Sequence, residues 1–374
     1  MDGSCEKIFA EVIVFPGGCL MGSKIIGMSR PHEPHQPFFP FGNPFRMLSS
    51  SHLSRKLLIL SKTFEETLAE RLRRLNPKDK GEILSFSWMK LAMESLCETH
   101  NDIKTLITDL ELPVCDWDEK WLDLYLDVSV NLLDVCIAFS SELSRLNQGN
   151  LLLQCLLHNF ESNSSKLFIR ARSSLDGWRQ HVNSKNPRVE NCCTILDKLV
   201  KSLDLPKVKN SAKGKVLMSA LYGVKVETIF VCSVFAAAFS GSGKKLLDLD
   251  VADKFIWARA FTSLQTSVNG EIRNILSSGR FPVLKELEAV DTSVKKLYPT
   301  IQDGVNPVEE EAFQNSVSDL GRRAEKLSQG LDLLTKEVDS FFQLVLTGRD
   351  ALLSNLRTST DSDGRLEGNG IERV

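Results

Sequence analysis

What the chain lacks narrows its chemistry first. It has no Cys-x-x-Cys pair and no Cys/His cluster at zinc spacing, which excludes a zinc finger or ribbon. Gly-x-Ser-x-Gly, His-Glu-x-x-His and the dinucleotide fingerprint are all missing, so the common hydrolase, metalloprotease and Rossmann chemistries have no anchor. GSGKK at 241–245 resembles the end of a phosphate loop, but Ala238 and Lys245 stand where Gly and Ser or Thr are needed; it reads as a helix-end turn. Net charge is only −2, which removes a global electrostatic case for nucleic acid. There is also no uninterrupted apolar run of the roughly 20 residues that a membrane span requires. The strongest, Thr228–Phe239, is flanked by Lys225 and Glu227 before and by Lys244 and Lys245 after. These charges favour a buried core helix for Val216–Phe239 over a membrane segment.

Histidine is sparse. His32 and His35 lie in a Pro-rich stretch without an acidic or thiol partner at ligand spacing, and His158 reads as a satisfied core residue in an apolar helix. The nine cysteines are odd in number, and several occupy apolar helical positions. They read as reduced thiols serving as small hydrophobes. No catalytic residue, cofactor site or metal site emerges, so the chain is expected to be non-enzymatic.

Present instead is helical periodicity, with no strand alternation of any length. Leu57, Leu60, Phe64, Leu68, Leu72 and Leu75 form one stripe, with Ser54 as the expected N-cap and Asn76-Pro77 as the stop. A second helix is expected over Ser87–Leu112, its buried side marked by Trp88, Leu91, Ser95, Ile103, Leu106 and Leu110. A third is expected over Asp118–Leu146, with Asn147-Gln148-Gly149-Asn150 as the turn after it. Leu151–Phe160 is apolar nearly all round and should be the most buried helix. Residues 162–191 break the pattern, and NSKNPRVEN at 183–191 reads as a surface linker and an internal boundary. Later stripes follow at Trp257–Ile275 and at Val283–Leu297, the second stopped by Pro299. Asn306-Pro307 then opens a helix whose residues from Phe313 to Val345 form a strict heptad seam, weakened by Gly321 and Gly330. The fold class is therefore all-α: an elongated antiparallel helical bundle with coiled-coil-like long helices.

The chain divides into an atypical N-terminal extension at 1–27, a Pro/Phe-rich segment at 28–52, the bundle at 53–350 and a polar tail at 351–374 expected to be disordered. Met28 is a plausible original start. In QPFFPFGNPFRM, at 36–47, three prolines make a helix unfavourable, yet Phe38, Phe39, Phe41 and Phe45 are too apolar for a solvated linker. These four rings are expected to strap a groove between bundle helices or to meet a partner. A second candidate surface is Lys207, Lys209, Lys213 and Lys215, which with Lys201 precede the apolar run and suit anionic lipid if they contact a membrane.

FFPFGNPFRM, the TFEE of Thr63–Glu66, SALYGVKVETIFVCSVFAAAFSGS at 219–242 and VLKELEAVDTSVKKLYPTIQ at 283–302 together resemble the plant BYPASS family. The similarity covers residues 28 to about 350. It implies a non-enzymatic developmental regulator that restrains a mobile root-derived signal acting on shoot growth, with no catalytic residue to carry over. It also implies two alternatives: a chloroplast address in place of a cytoplasmic one, and, through more distant relatives, a membrane-associated adaptor of exocyst-type trafficking.

Overall fold

The computed structural model describes residues 44–111, 119–161, 167–204, 208, 211–279, 282–303 and 310–364. Within them the chain is helical and no strand occurs. The helices are α1 (Pro44–Leu75), α2 (Phe86–Asp109), α3 (Glu119–Glu161), α4 (Leu167–Asn183), α5 (Pro187–Lys201), α6 (Ala212–Ser240), α7 (Ala258–Ser277), α8 (Lys285–Asp303) and α9 (Glu310–Gly364).

α6 is the axis of the fold. From Val224 to Ala238 every residue is buried, so no face of the helix is left for solvent. Helices α1, α2, α3, α5 and α7 pack around it. Phe230 and Phe235 are fully buried; Phe235 meets Phe139 of α3, and Phe230 meets Phe261 of α7 edge-on at 5.5 Å. Ser211 caps the N-terminus by accepting from the Gly214 N–H, and Gly241 closes the C-terminus at φ 62°, ψ 29°. GSGKK is thus a helix-end turn, as expected, and Lys245 is buried with its ammonium donating to the carbonyls of Val189 and Glu190.

The second organising element is the antiparallel pair α3/α9. Phe160 meets Phe313 at one end, Ser140 approaches Asp339 in the middle, and Arg349 reaches Leu126 O and Ser129 Oγ at the other. α9 has 55 residues, about 80 Å at ~1.5 Å per residue. Its expected seam is buried from Phe313 to Val345, with Val317 half-buried. α1 and α2 form an antiparallel hairpin tied by Arg71 to Glu98 at 3.0 Å and to Asp102 at 2.6 Å, and by Trp88 Nε1 donating to Leu75 O.

Several sequence expectations need correction. Asn147–Asn150 is not a turn: α3 runs through it, because Gly149 lets Trp178 and His181 of α4 pack directly on the helix backbone. α4 itself was hidden among basic residues, yet Ala171, Leu175, Trp178 and Val182 step 4, 3 and 4 and are all buried. α5 begins at Pro187, capped by Asn186, so NSKNPRVEN contributes only three residues, 184–186, between helices. Leu151–Phe160 is not the most buried stretch: Leu153 and Leu156 are buried against the bundle, but Leu151 is 52% exposed and His158 is exposed. Leu91 is exposed because α2 turns Met89, Ala92, Met93 and Leu96 inward instead. Pro299 does not stop α8, which continues to Asp303 with Leu297 and Ile301 both buried. α9 extends through 351–364, a stretch expected to be disordered. Ser54 lies inside α1, which opens at Pro44, a first helical position where the missing N–H costs nothing. The Asn306-Pro307 start lies outside the described residues.

The two glycines in α9 behave differently. A Cβ at Gly330 would sit 2.6 Å from Phe86 Cδ2, whereas at Gly321 it would meet only Leu157 at 3.8 Å. Gly330 is therefore the close-approach point of α2 and α9. We expect Gly321→Ala to raise stability by up to about 1 kcal/mol through helix propensity. Gly330→Ala is expected to lower it by about 1–3 kcal/mol through overpacking. Urea melts of the two variants check this; equal stabilities would show that Phe86 yields freely.

Candidate functional site

The polar centre of α6 is where the bundle departs from a plain apolar core. Lys225, Glu227 and Thr228 are consecutive or nearly so on a helix that has no exposed face here, so each must be met by a neighbouring helix. Glu227 turns to α2, where Ser95 Oγ donates to its Oε1 at 2.7 Å and the Thr99 hydroxyl lies close by; its Oε2 has no partner of good hydrogen-bond geometry among the described residues. Burial drives this carboxyl up to about 7, against the pull of the Ser95 and Thr99 hydroxyls and of the Arg71 charge. Lys225 points to the end of α5, where its ammonium donates to Ser202 O at the helix C-cap. A cation there complements the helix dipole. Burial lowers Lys225 to about 8, so it stays largely protonated at pH 7. Thr228 Oγ1 donates to Val224 O at 2.7 Å, which commits its hydrogen. The 3.1 Å contact with His100 therefore has His100 Nε2–H donating to Thr228 Oγ1. His100 packs edge-on against Phe341, and burial first, then the Lys104 charge, pushes it down to about 4. It is a neutral imidazole at pH 7.

Beside this polar centre lies a cavity of about 110 Å³, walled by α2, α3, α5, α6 and α9. Its walls are mostly apolar, including Ile103, Trp121, Leu132, Met218 and Val345. The polar groups among them are His100, Lys104, Tyr125, Ser129, Lys225 and Thr228, and among the described residues no carboxylate lines the cavity. Burial lowers Lys104 and raises the Tyr125 phenol. Sequence reasoning noticed Lys225 and Glu227 only as charges interrupting an apolar run. Nothing in the sequence marked the cavity, because its walls come from five helices distant in the chain.

The sequence-derived candidates fall elsewhere. Phe38, Phe39 and Phe41 lie outside the described residues; Phe45 lies in the first turns of α1, a segment expected to be non-helical, and its side chain is outside the described set. Lys207 and Lys209 are likewise outside. Lys213 donates to Glu111 O at 3.2 Å, at the end of α2, and Lys215 is exposed on α6. The buried thiols do not form a reactive centre: burial holds Cys97 and Cys136 at about 12 and Cys192 at about 11.

No family model and no solved structure matches the chain. Among curated proteins it is 59% identical over 334 residues to Protein BPS1, chloroplastic, of Arabidopsis thaliana, covering 88% of this chain and 94% of that protein. It is 38% identical to UPF0496 protein 4 of Oryza sativa subsp. indica, over 89% of this chain and 98% of the relative. Protein ROH1D of Arabidopsis thaliana is 20% identical over 77% of this chain and 86% of its own length.

The Glu227 carboxyl gives a pH prediction. Its folded value is raised from 4.5 to about 7, so its contribution to stability is full below 4.5 and is lost as pH rises through 7. His100, lowered from 6.5 to about 4, slopes the other way: its contribution is full above 6.5 and is lost as pH falls toward 4. The difference between wild type and Glu227→Gln isolates the carboxyl. We expect E227Q to be more stable at pH 8 by on the order of 2 kcal/mol. That advantage should shrink steadily toward pH 4.5, as read by urea denaturation at stepped pH. A constant difference across the range would show that Glu227 does not titrate in this window.

Proposed function

The chain belongs to the BYPASS-related family of plant proteins, and on that premise we propose that it is a non-enzymatic regulator of root and shoot development acting through protein contacts, which restrains a root-derived mobile signal. The observation that carries this reading is 59% identity over nearly the whole length of both chains. The interior supports a non-enzymatic role: thiols raised by burial, a neutral His100 whose Nε2–H is spent on Thr228, and a carboxyl sealed against Ser95. Val130 and Ile137 support the contact mechanism. They are two turns apart on one face of α3 and are 42% and 40% exposed.

The plastid is the compartment favoured by the name of the Arabidopsis relative, with the cytoplasm as the other outcome. The membrane-adaptor reading retains one observation in its favour: α6 is long and apolar enough to cross a bilayer, although 89% of that apolar window is enclosed by the bundle. A C-terminal fluorescent fusion and membrane flotation separate these addresses.

The decisive experiment is complementation of Arabidopsis plants lacking the BPS1 relative. Expression of this chain is expected to restore shoot growth, and Val130→Asp/Ile137→Asp to fail while remaining folded and abundant. Unchanged rescue by the double variant would overturn that contact surface. Failure of the wild-type chain to rescue, or turnover of a small molecule by the purified protein that is lost on a point substitution, would overturn the reading as a whole.

A further inference from the structure

The cavity beside α6 has a chemistry of its own. Its volume, about 110 Å³, approaches that of engineered apolar cavities of ~150 Å³ that accept benzene. The space is therefore too small for a lipid or a peptide and suits at most one aromatic ring, with any substituent at the polar wall. Its charged lining is of one sign among the described residues: Lys225 and Lys104 line it, and no Asp or Glu does. Lys225 makes no ion pair among the described residues; its ammonium has only the Ser202 carbonyl. In a low-dielectric space such a cation favours an anion over a neutral guest.

We propose that this cavity is a binding site for a small aromatic monocarboxylic acid, its ring among Ile103, Trp121 and Leu132 and its carboxylate on the Lys225 ammonium. The Tyr125 hydroxyl supplies a second polar contact at the wall. The inference goes beyond the developmental reading and does not depend on it. It assigns the protein a ligand, and a plant phenotype neither supports nor removes that assignment.

The test uses the full chain and two probes of nearly equal shape, phenylacetate and phenylacetamide, by isothermal titration and thermal shift at pH 7. Phenylacetate is expected to bind at least tenfold more tightly. Lys225→Met is expected to erase that preference while leaving phenylacetamide binding within threefold. Leu132→Phe, which places a ring in the cavity, is expected to abolish binding of both; Ile103→Phe serves the same purpose if the first variant does not fold. Equal affinity of the two probes would overturn the carboxylate assignment. Unchanged phenylacetate binding in the filled variants, or no saturable binding by wild type at millimolar probe, would overturn the site itself.

Discussion

The fold depends on enclosing one helix. α6 is buried on every face from Val224 to Ala238 and is mostly apolar there, so water is excluded from all sides or the helix is not stable in solution. That requirement fixes much of the architecture. A helix with one apolar stripe needs one partner; a helix without a polar face needs a ring of them. α1, α2, α3, α5 and α7 supply that ring, and each of them is amphipathic enough to turn a charged face outward. The aromatic residues concentrate where the ring closes: Phe139 with Phe235 and Phe239 on one side, and Tyr222, Phe255, Trp257 and Phe261 on another.

The long pair α3/α9 does a different job. It buries a narrow seam over many turns and so extends the molecule beyond the ring around α6. Because α9 also contacts α2 and α8, it braces the hairpin at one level and the α8 segment at another. At Gly330 the Phe86 ring of α2 occupies the space a side chain would need. A residue that weakens the helix by propensity is thus kept where two helices come closest.

Legibility in the sequence followed the strength of local periodicity. The seam Phe313–Val345 and the burial of α6 could be read directly, since each is specified by residues a few positions apart. What could not be read depends on neighbours. Asn147–Asn150 carries turn residues, but Gly149 serves the packing of Trp178, which lies on another helix. Leu151–Phe160 is apolar nearly all round on paper, yet only Leu153 and Leu156 are fully enclosed while Leu151 and His158 face outward, which depends on where α4 and α9 pack and not on local pattern. Pro299 should end a helix on local grounds, and burial of Leu297 and Ile301 on either side carries the helix past it. The cavity is the extreme case: Lys225, His100 and Trp121 converge from three helices, and no spacing in the sequence relates them.

The charges within α6 also bear on how the chain reaches its folded state. Lys225 and Glu227 are two residues apart but are not partners; one is bound to the end of α5 and the other to α2. Neither contact exists until those helices have docked, and before docking each group is stable only in water. The apolar run is therefore prevented from burying itself alone, in an aggregate or in a bilayer, without first desolvating two polar groups. Once α2 and α5 are in place the same groups become specific, because a shifted register of α6 would leave Ser95, Ser202 and both charges unmatched. On this argument the polar centre gives the most apolar helix of the molecule a single acceptable position, and the cavity lies beside it because Lys225 and Thr228 interrupt the close packing that an uninterrupted apolar helix would have made.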